Sequence, residues 1–143
     1  MKLATIGYEA DTQGGVIERL KAAGVEVVID VRAVAASRKA GFSKTLLSAS
    51  LNEAGIGYVH LRELGTPKPG RIAARAGKVG EMHDIFNAHL AEPGAQLELA
   101  KASEMAKEKK IALLCLEADH DACHRSIVAD RICEAIGCEI EKL

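Results

Sequence analysis

Four consecutive residues with reactive side chains, Cys123-His124-Arg125-Ser126, lie near the carboxyl end of this chain. A short acidic segment precedes them and apolar residues at helical spacing follow, so Asp121 is predicted to cap a helix that begins within this group. Exposed amides and the positive end of the helix dipole favour anions and thiolates at such a position. The pattern therefore predicts an anion-binding site or an activated cysteine.

Each side chain of this segment has a candidate role. Cys123 is the candidate nucleophile or redox thiol, because a protonated His124 and Arg125 would favour its thiolate. The alternative for Cys123 is a small residue that packs at a helix start. His124 and Glu117 are candidate proton carriers. Arg125 and Ser126 are candidate ligands of a substrate anion, and a salt bridge from the arginine to a nearby carboxylate is the competing interpretation.

The same region also offers metal ligands. Zinc accepts thiolate, imidazole and carboxylate groups, which Cys115, Glu117, Cys123 and His124 provide. The chain lacks a paired Cys-x-x-Cys motif, and the adjacency of residues 123 and 124 makes joint ligation awkward. Metal binding is therefore kept as an alternative, and no metal or cofactor is assigned.

A basic middle region provides further candidates. Residues 32–80 contain nine Lys or Arg and two Glu, although the formal net charge of the whole chain is −1. Asp30 and Arg32 follow a predicted strand, and Ser37 and Arg38 lie in the loop after it, where they could contact phosphate or another anion. An internal Asp30–arginine pair and a solvated basic loop are the alternatives. The charge also suits a non-catalytic module that binds a nucleotide or nucleic acid.

The stretch from residue 62 to residue 80 is rich in glycine and proline. It is predicted to be a long loop with at most one helical turn, near residues 72–75. Four basic residues of this stretch could form a mobile lid over an anion, with a merely solvated loop as the alternative for each: Lys68, Arg71, Arg75 and Lys78.

Apolar runs and amphipathic segments alternate along the chain. Strands are predicted at residues 3–8, 25–31, 58–61, 111–116 and 138–143, and helices at 16–23, 43–54, 81–90, 95–109 and 121–136. This alternation predicts one α/β domain over residues 1–143, with three α/β/α layers around a mainly parallel, Rossmann-like sheet of about five strands. Ligands collect at the carboxyl ends of such strands. Four segments are therefore expected to share one rim: residues 7–11, 30–44, 62–80 and 117–126.

Composition narrows the possible classes of protein. The chain has 143 residues, of which 48% are hydrophobic and only 3% aromatic, so its core must be aliphatic and stacked base-binding platforms are disfavoured. No signal peptide and no membrane-spanning run are recognised, so a cytoplasmic protein without a membrane partner is expected. Its four cysteines, at positions 115, 123, 133 and 138, are then expected to be thiols. The oligomeric state is not predicted.

Several short motifs in this order resemble those of the domain of unknown function 488 family of bacterial and archaeal proteins. The matching pieces are Thr5-Ile6-Gly7-Tyr8, Asp30-Val31-Arg32, Ser37-Arg38-Lys39, Gly41-Phe42-Ser43-Lys44, Gly57-Tyr58-Val59-His60-Leu61, Leu64-Gly65, Leu114-Cys115-Leu116-Glu117 and Cys123-His124-Arg125-Ser126. Family members often have proline after the Asp-Val-Arg element, where this chain has Ala35. The resemblance implies a compact α/β domain and no particular reaction. It also implies that seven residues form one site: Asp30, Arg32, Cys115, Glu117, Cys123, His124 and Arg125.

The leading interpretation is a small enzyme that acts on an anionic substrate, phosphate-bearing or nucleotide-like. In this interpretation Arg32, Arg38 and Arg125 bind the anion, Cys123 provides the thiol, and His124 or Glu117 moves protons.

Overall fold

Five strands form one sheet in which every neighbouring pair is parallel. In the computed structural model, which describes residues 1–143, these strands are β1 (Lys2–Gly7), β2 (Val27–Asp30), β3 (Gly57–His60), β4 (Ile111–Cys115) and β5 (Glu139–Lys142). Their order across the sheet is β3-β2-β4-β1-β5, so β4 lies between β2 and β1. Strand β5 lies at one edge of the sheet, and the sheet is entirely rather than mainly parallel.

Six α-helices cover the two faces of the sheet. They are α1 (Gln13–Ala22), α2 (Lys44–Glu53), α3 (Lys68–Arg75), α4 (Val79–Leu90), α5 (Pro93–Glu108) and α6 (Arg125–Ile136). Helices α1 and α2 pack on one face, and α3 to α6 contribute to the core on the other. The predicted three-layer α/β fold is therefore confirmed. None of the helices combines the length and the apolar character that crossing a membrane requires.

The central strands are apolar on both faces because helices cover both. All five residues of β4 are buried, and successive side chains point to opposite faces. Leu113 joins the core beneath α4, α5 and α6, whereas Leu114 joins the core beneath α1 and α2. The end of β4 is thereby fixed between two packed layers, which is the position from which Cys115 enters the site.

The prediction of a long loop at residues 62–80 is wrong. A short 3-10 turn covers Arg62–Leu64, helix α3 follows, and α4 already begins at Val79. Proline is tolerated here because the first turn of a helix leaves its amides without partners, and Pro69 lies in the first turn of α3. Gly70 is buried against Thr66, where a larger side chain would collide. Pro69 thus helps to start a helix and Gly70 allows it to pack closely, although both residue types indicate a loop in the sequence.

The predicted N-cap of the last helix is also wrong. Asp119, rather than Asp121, accepts a backbone hydrogen bond, and it caps a 3-10 turn at His120–Ala122. Helix α6 begins only at Arg125, after His124. Cys123 therefore lies before α6 in extended backbone, not in the first turn of the helix.

Two of the four cysteines are not thiols. Cys133 and Cys138 form a disulfide between the last turn of α6 and the segment that leads into β5. The expectation of four free thiols is wrong for this pair, because Gly137 adopts a left-handed conformation and turns the chain back at the end of α6. Only Cys115 and Cys123 are free.

Candidate functional site

The neighbouring strands β2 and β4 bring the predicted site segments together. Asp30 lies opposite Leu114 in the register of the two strands, so the segments that follow them leave the sheet side by side. Cys115 ends β4, and residues 123 and 124 return to the same place just before α6. The two sulfur atoms and a ring nitrogen of His124 lie within 4.8 Å of one another. We call Cys115, Cys123 and His124 the Cys-His cluster.

A hydrogen bond to the end of β2 orients His124. Its Nε2 lies 2.7 Å from the carbonyl oxygen of Val31 and donates to it. Its Nδ1 then faces the sulfur of Cys123 at 3.8 Å and the sulfur of Cys115 at 4.0 Å. The ring is buried and packs against Phe86 with 5.0 Å between ring centroids. The fold thus directs one imidazole nitrogen at two thiols.

The two thiols differ in their affinity for a proton. The contact with Cys123, together with burial, raises the pKa of Cys115 well above its usual value. Burial alone would raise the pKa of Cys123 as well, but hydrogen bonding from Cys115 and the charges of His124 and Arg125 lower it well below its usual value. Burial opposes the charged form of His124, yet its pKa is raised because it neighbours the Cys123 thiolate. The cluster therefore favours a thiolate at Cys123 and a thiol at Cys115.

Glu117 lies beside this cluster, and the pKa of its carboxyl is raised. Burial and the neighbouring Cys123 thiolate raise the pKa of its carboxyl to about 7. One buried carboxylate oxygen, Oε2, accepts no hydrogen bond. A carboxyl that titrates near neutral pH can both donate and accept a proton, which suits the role predicted for Glu117.

Asp30 and Arg32 form an internal ion pair, which was the alternative to anion binding. Arg32 Nε donates to Asp30 Oδ1 at 2.9 Å, and Nη2 donates to Oδ2 at 2.6 Å. Arg32 Nη1 donates to the hydroxyl of Tyr8 and to the carbonyl oxygen of Phe42, and the Tyr58 hydroxyl donates to Asp30. Burial and the contact with Asp30 raise the pKa of Tyr58, so its hydroxyl remains a donor. Four of the five guanidinium hydrogens of Arg32 thus have partners within the protein.

A cavity of about 300 Å³ opens above the cluster. Its wall includes Cys115, Glu117 and His124, whereas Cys123 is fully buried behind them. The other lining residues are Tyr8, Arg32, Ala33, Val34, Ala36, Thr66, Arg71, Ala74, Arg75, Met82 and Leu116. This volume falls in the range of small-molecule sites.

Two arginines of α3 face this cavity. Arg71 and Arg75 are four residues apart, which places them on one side of the helix. Arg71 is half-buried and donates from Nη1 to the carbonyl oxygen of Thr66 at 2.9 Å, which orients its guanidinium. Arg75 is exposed. These two residues were predicted as part of a mobile lid, and they lie instead on a formed helix.

Arg125 and Ser126 point away from the cavity wall. Arg125 is almost fully buried, and its Nη1 donates to the carbonyl oxygen of Glu117 at 2.5 Å. Its Nη2 donates to the carbonyl oxygen of Ala118 at 3.4 Å. The Ser126 hydroxyl donates to the carbonyl oxygen of Cys123 at 2.8 Å. Both side chains thus hold the backbone around the cluster. Arg125 does so through backbone carbonyls, neither lining the cavity as a ligand of an anion nor forming the salt bridge of the competing interpretation.

Ser37 and Arg38 lie outside the cavity. The backbone of Ser37 exchanges hydrogen bonds with the hydroxyl of Ser43, which shapes the loop before α2. Arg38 is exposed and does not line the cavity. The structure therefore brings together Asp30, Arg32, Glu117, Cys123 and His124, and it separates these two loop residues from them.

Sequence reasoning did not assign Tyr8, Thr66 or Met82 to the site. Tyr8 directly follows β1, and the rule that ligands bind at the carboxyl ends of parallel strands provides a signal for it. Thr66 precedes α3, whose helical structure the glycine and proline content concealed, whereas Met82 lies in the helix that was predicted at residues 81–90. No local signal in the sequence identifies these two.

The fold and site together define a three-layer α/β protein with a Cys-His cluster at the carboxyl ends of its central strands. The family model described as "Domain of unknown function DUF488" matches residues 13–132, and the chain belongs to this family. Neither the curated proteins nor the solved structures compared with this chain include a significant match.

Proposed function

We propose that this protein is an enzyme that acts on a small anionic substrate, phosphate-bearing or nucleotide-like, with the Cys-His cluster as its reaction centre. One observation carries the proposal: a single cavity is lined both by Arg32, Arg71 and Arg75 and by Cys115 and His124 of the cluster. Positive groups beside a thiol, an imidazole and a carboxyl form the combination that an anion-processing site requires.

The arginines of α3 bind the anion in this proposal. Arg71 has donors left after its bond to Thr66, and Arg75 lies one turn further along the same side of the helix. A guanidinium recognises phosphate or carboxylate oxygens through two parallel hydrogen bonds. Arg32 contributes less to binding of the anion, because Asp30 already neutralises its charge.

Reactivity is assigned to the cluster and to Glu117. Cys123 provides the thiolate, and His124 keeps it charged by facing it at 3.8 Å. Cys115 is the thiol that lines the cavity, so a substrate in the cavity would reach Cys123 by passing beside Cys115. Glu117 transfers the proton, since its pKa of about 7 allows both protonation states at neutral pH. Arg125 and Ser126 act as positioning residues through the backbone of residues 117, 118 and 123.

A concave cavity favours a small molecule over a polymer. Its volume of about 300 Å³ is adequate for a phosphate with a small organic group. A nucleic-acid module would instead present its basic residues on an open surface and would bind with a steep dependence on salt. The two classes are distinguished by whether a mononucleotide or a polynucleotide binds.

Calorimetry with inorganic phosphate, adenosine monophosphate and a single-stranded oligonucleotide tests the binding step. We expect Arg71→Gln to weaken binding of the small anions about tenfold or more, the scale of a lost charge-assisted hydrogen bond. Arg131→Gln removes the same charge from an exposed position on α6 and serves as the control. Equal affinities for Arg71→Gln and wild type would overturn the assignment of this cavity, and preference for the oligonucleotide would favour the module.

A screen of phosphate esters and nucleotides by phosphorus NMR tests the reaction. Turnover of at least one compound is expected in the wild type, with loss of turnover and retained binding in Cys123→Ser. Undiminished turnover in Cys123→Ser would overturn the role of this thiol. Absence of turnover across the whole panel, despite binding, would contradict the enzyme proposal for these substrates.

A further inference from the structure

We infer that the Cys-His cluster is a binding site for one thiophilic divalent metal ion of the zinc class. The proposed ligands are the sulfur atoms of Cys115 and Cys123 and the Nδ1 atom of His124. This inference concerns whether the cluster holds a metal ion before any substrate binds, and it does not depend on the proposed substrate.

The spacing of the three atoms carries the inference. Zinc bonds of about 2.3 Å to sulfur and about 2.0–2.1 Å to nitrogen place a tetrahedral pair of S and N ligands roughly 3.6 Å apart. The sulfur atoms of Cys123 and Cys115 lie 3.8 Å and 4.0 Å from His124 Nδ1. Shifts of a few tenths of an ångström would bring each sulfur atom to this distance from Nδ1. The two sulfur atoms lie within 4.8 Å of each other and would approach to the roughly 3.8 Å of a tetrahedral pair when the metal binds. The adjacency of residues 123 and 124 was expected to make joint ligation awkward, yet the Cys123 sulfur and His124 Nδ1 face each other at 3.8 Å.

The orientation of the imidazole supports the same conclusion. A ligating histidine usually donates its other ring N–H to a carbonyl or carboxylate, which fixes the tautomer that binds metal. The bond from His124 Nε2 to Val31 O, at 2.7 Å, has this arrangement. It leaves Nδ1, which would release its proton when a metal binds, directed at the two sulfur atoms, and Phe86 packs against the ring.

Charge balance at a buried position is the third argument. Both sulfur atoms are almost completely buried, and a thiolate removed from water requires compensation. Two thiolates and a neutral imidazole would offset the two positive charges of a divalent ion. Cys115, His124 and Glu117 all line the cavity, so a metal between the three ligands would have its fourth position towards the cavity. Three protein ligands with one open position are typical of catalytic zinc sites.

Glu117 completes the arrangement as a neighbour of the open position. Its buried Oε2 accepts no hydrogen bond from the protein. Such an oxygen can bind the metal directly or accept a hydrogen bond from a metal-bound water. The presence of an unpartnered acceptor beside two thiols and an imidazole distinguishes this cluster from an ordinary apolar core.

Two measurements on the full chain test the inference. Purified protein is stripped with a chelator, and zinc or cobalt is titrated back as the probe. We expect one ion per chain and a sulfur-to-cobalt charge-transfer absorption with the visible bands of a tetrahedral site. The absorption should weaken in Cys115→Ser and in His124→Asn. It should persist in the Cys133→Ser/Cys138→Ser double variant, which removes the two cysteines outside the cluster.

The outcomes separate this inference from the proposed function. Absence of the charge-transfer absorption in wild-type protein that circular dichroism shows to be folded would overturn the metal site, as would an unchanged absorption in Cys115→Ser. Because this result is read from the wild type, it does not depend on the folding of a variant. Phosphate binding by stripped protein, and its loss in Arg71→Gln, tests the proposed function without reference to metal.

Discussion

Asp30 and Arg32, separated by a single residue at the end of β2, form an ion pair with two hydrogen bonds that is almost completely buried. Tyr58 and Tyr8 add hydrogen bonds to the carboxylate and the guanidinium respectively. The pair therefore fixes the chain at the point where it leaves the sheet for the cavity wall, and its positive member is already neutralised.

Asp30→Asn should lower the free energy of unfolding by about 3–5 kcal/mol, because it leaves the Arg32 charge buried without its partner. Urea denaturation measures the change. Glu104→Gln provides the matched control, since it removes one partner of the exposed Lys107–Glu104 pair and should change stability by less than about 1 kcal/mol. Similar losses in the two variants would contradict the structural role of the buried pair.

Glu117 should make the stability of the metal-free protein depend on pH. Its carboxyl has a pKa of about 7 in the folded protein against an ordinary value of 4.5. Between these values the folded protein binds a proton that the unfolded chain releases, so stability falls as pH rises through this range. Glu117→Gln should remove this contribution and should therefore gain stability relative to wild type between pH 5 and pH 8.

Urea denaturation of chelator-treated protein at about pH 5 and about pH 8 measures the difference in stability between Glu117→Gln and wild type. Glu53→Gln, an exposed carboxyl at the end of α2, is the control and should follow the wild type. A constant difference between Glu117→Gln and wild type across this pH range would show that the carboxyl does not titrate there.

Gly65→Ala should be destabilising by about 1–3 kcal/mol, the usual range for overpacking. An added Cβ would lie 2.1 Å from the backbone nitrogen of Ala33, which lines the cavity. The displaced loop should also weaken binding of phosphate. Gly14→Ala is the control: its added Cβ meets no atom within 4 Å, and inside α1 it should stabilise by up to about 1 kcal/mol. Thermal unfolding and calorimetry compare the two variants.

The Cys133–Cys138 disulfide should be detectable by alkylation and mass spectrometry. Unfolding in denaturant without a reductant should allow modification of two of the four cysteines, and reduction should expose all four. Replacing both residues by serine should cost about 2 kcal/mol, the loop-entropy value for so short a loop. Modification of four cysteines in the absence of reductant would show that the pair is reduced.

Much of the fold is predictable from the sequence because the signals are local. Runs such as Ile111–Cys115 are continuously apolar, which is characteristic of a strand buried on both faces. Helices such as α2 show apolar residues at a helical period. The alternation of the two then restricts the topology to parallel crossovers.

The site was predicted less completely because its contacts are non-local. Cys115 and His124 were recognised as candidates, yet the orientation of the His124 ring depends on a bond to Val31, 93 residues away in the chain. Arg125 was expected to bind an anion, and only the packed structure shows its guanidinium bonded to the carbonyl oxygens of residues 117 and 118. The Gly and Pro content around α3 indicates a turn equally well as a helix start, so Arg71 and Arg75 were placed on a loop rather than on a helix.

The position of β4 between β1 and β2 has a consequence for the order of folding. Strands β1 and β2 do not pair with each other. Both pair with β4, which residues 111–115 form. During synthesis, the first 110 residues can therefore form the β2–β3 pair but cannot join β1 to it. The late strand both joins β1 to the β2–β3 pair and delivers Cys115, so the Cys-His cluster is assembled only after residue 124 has been synthesised.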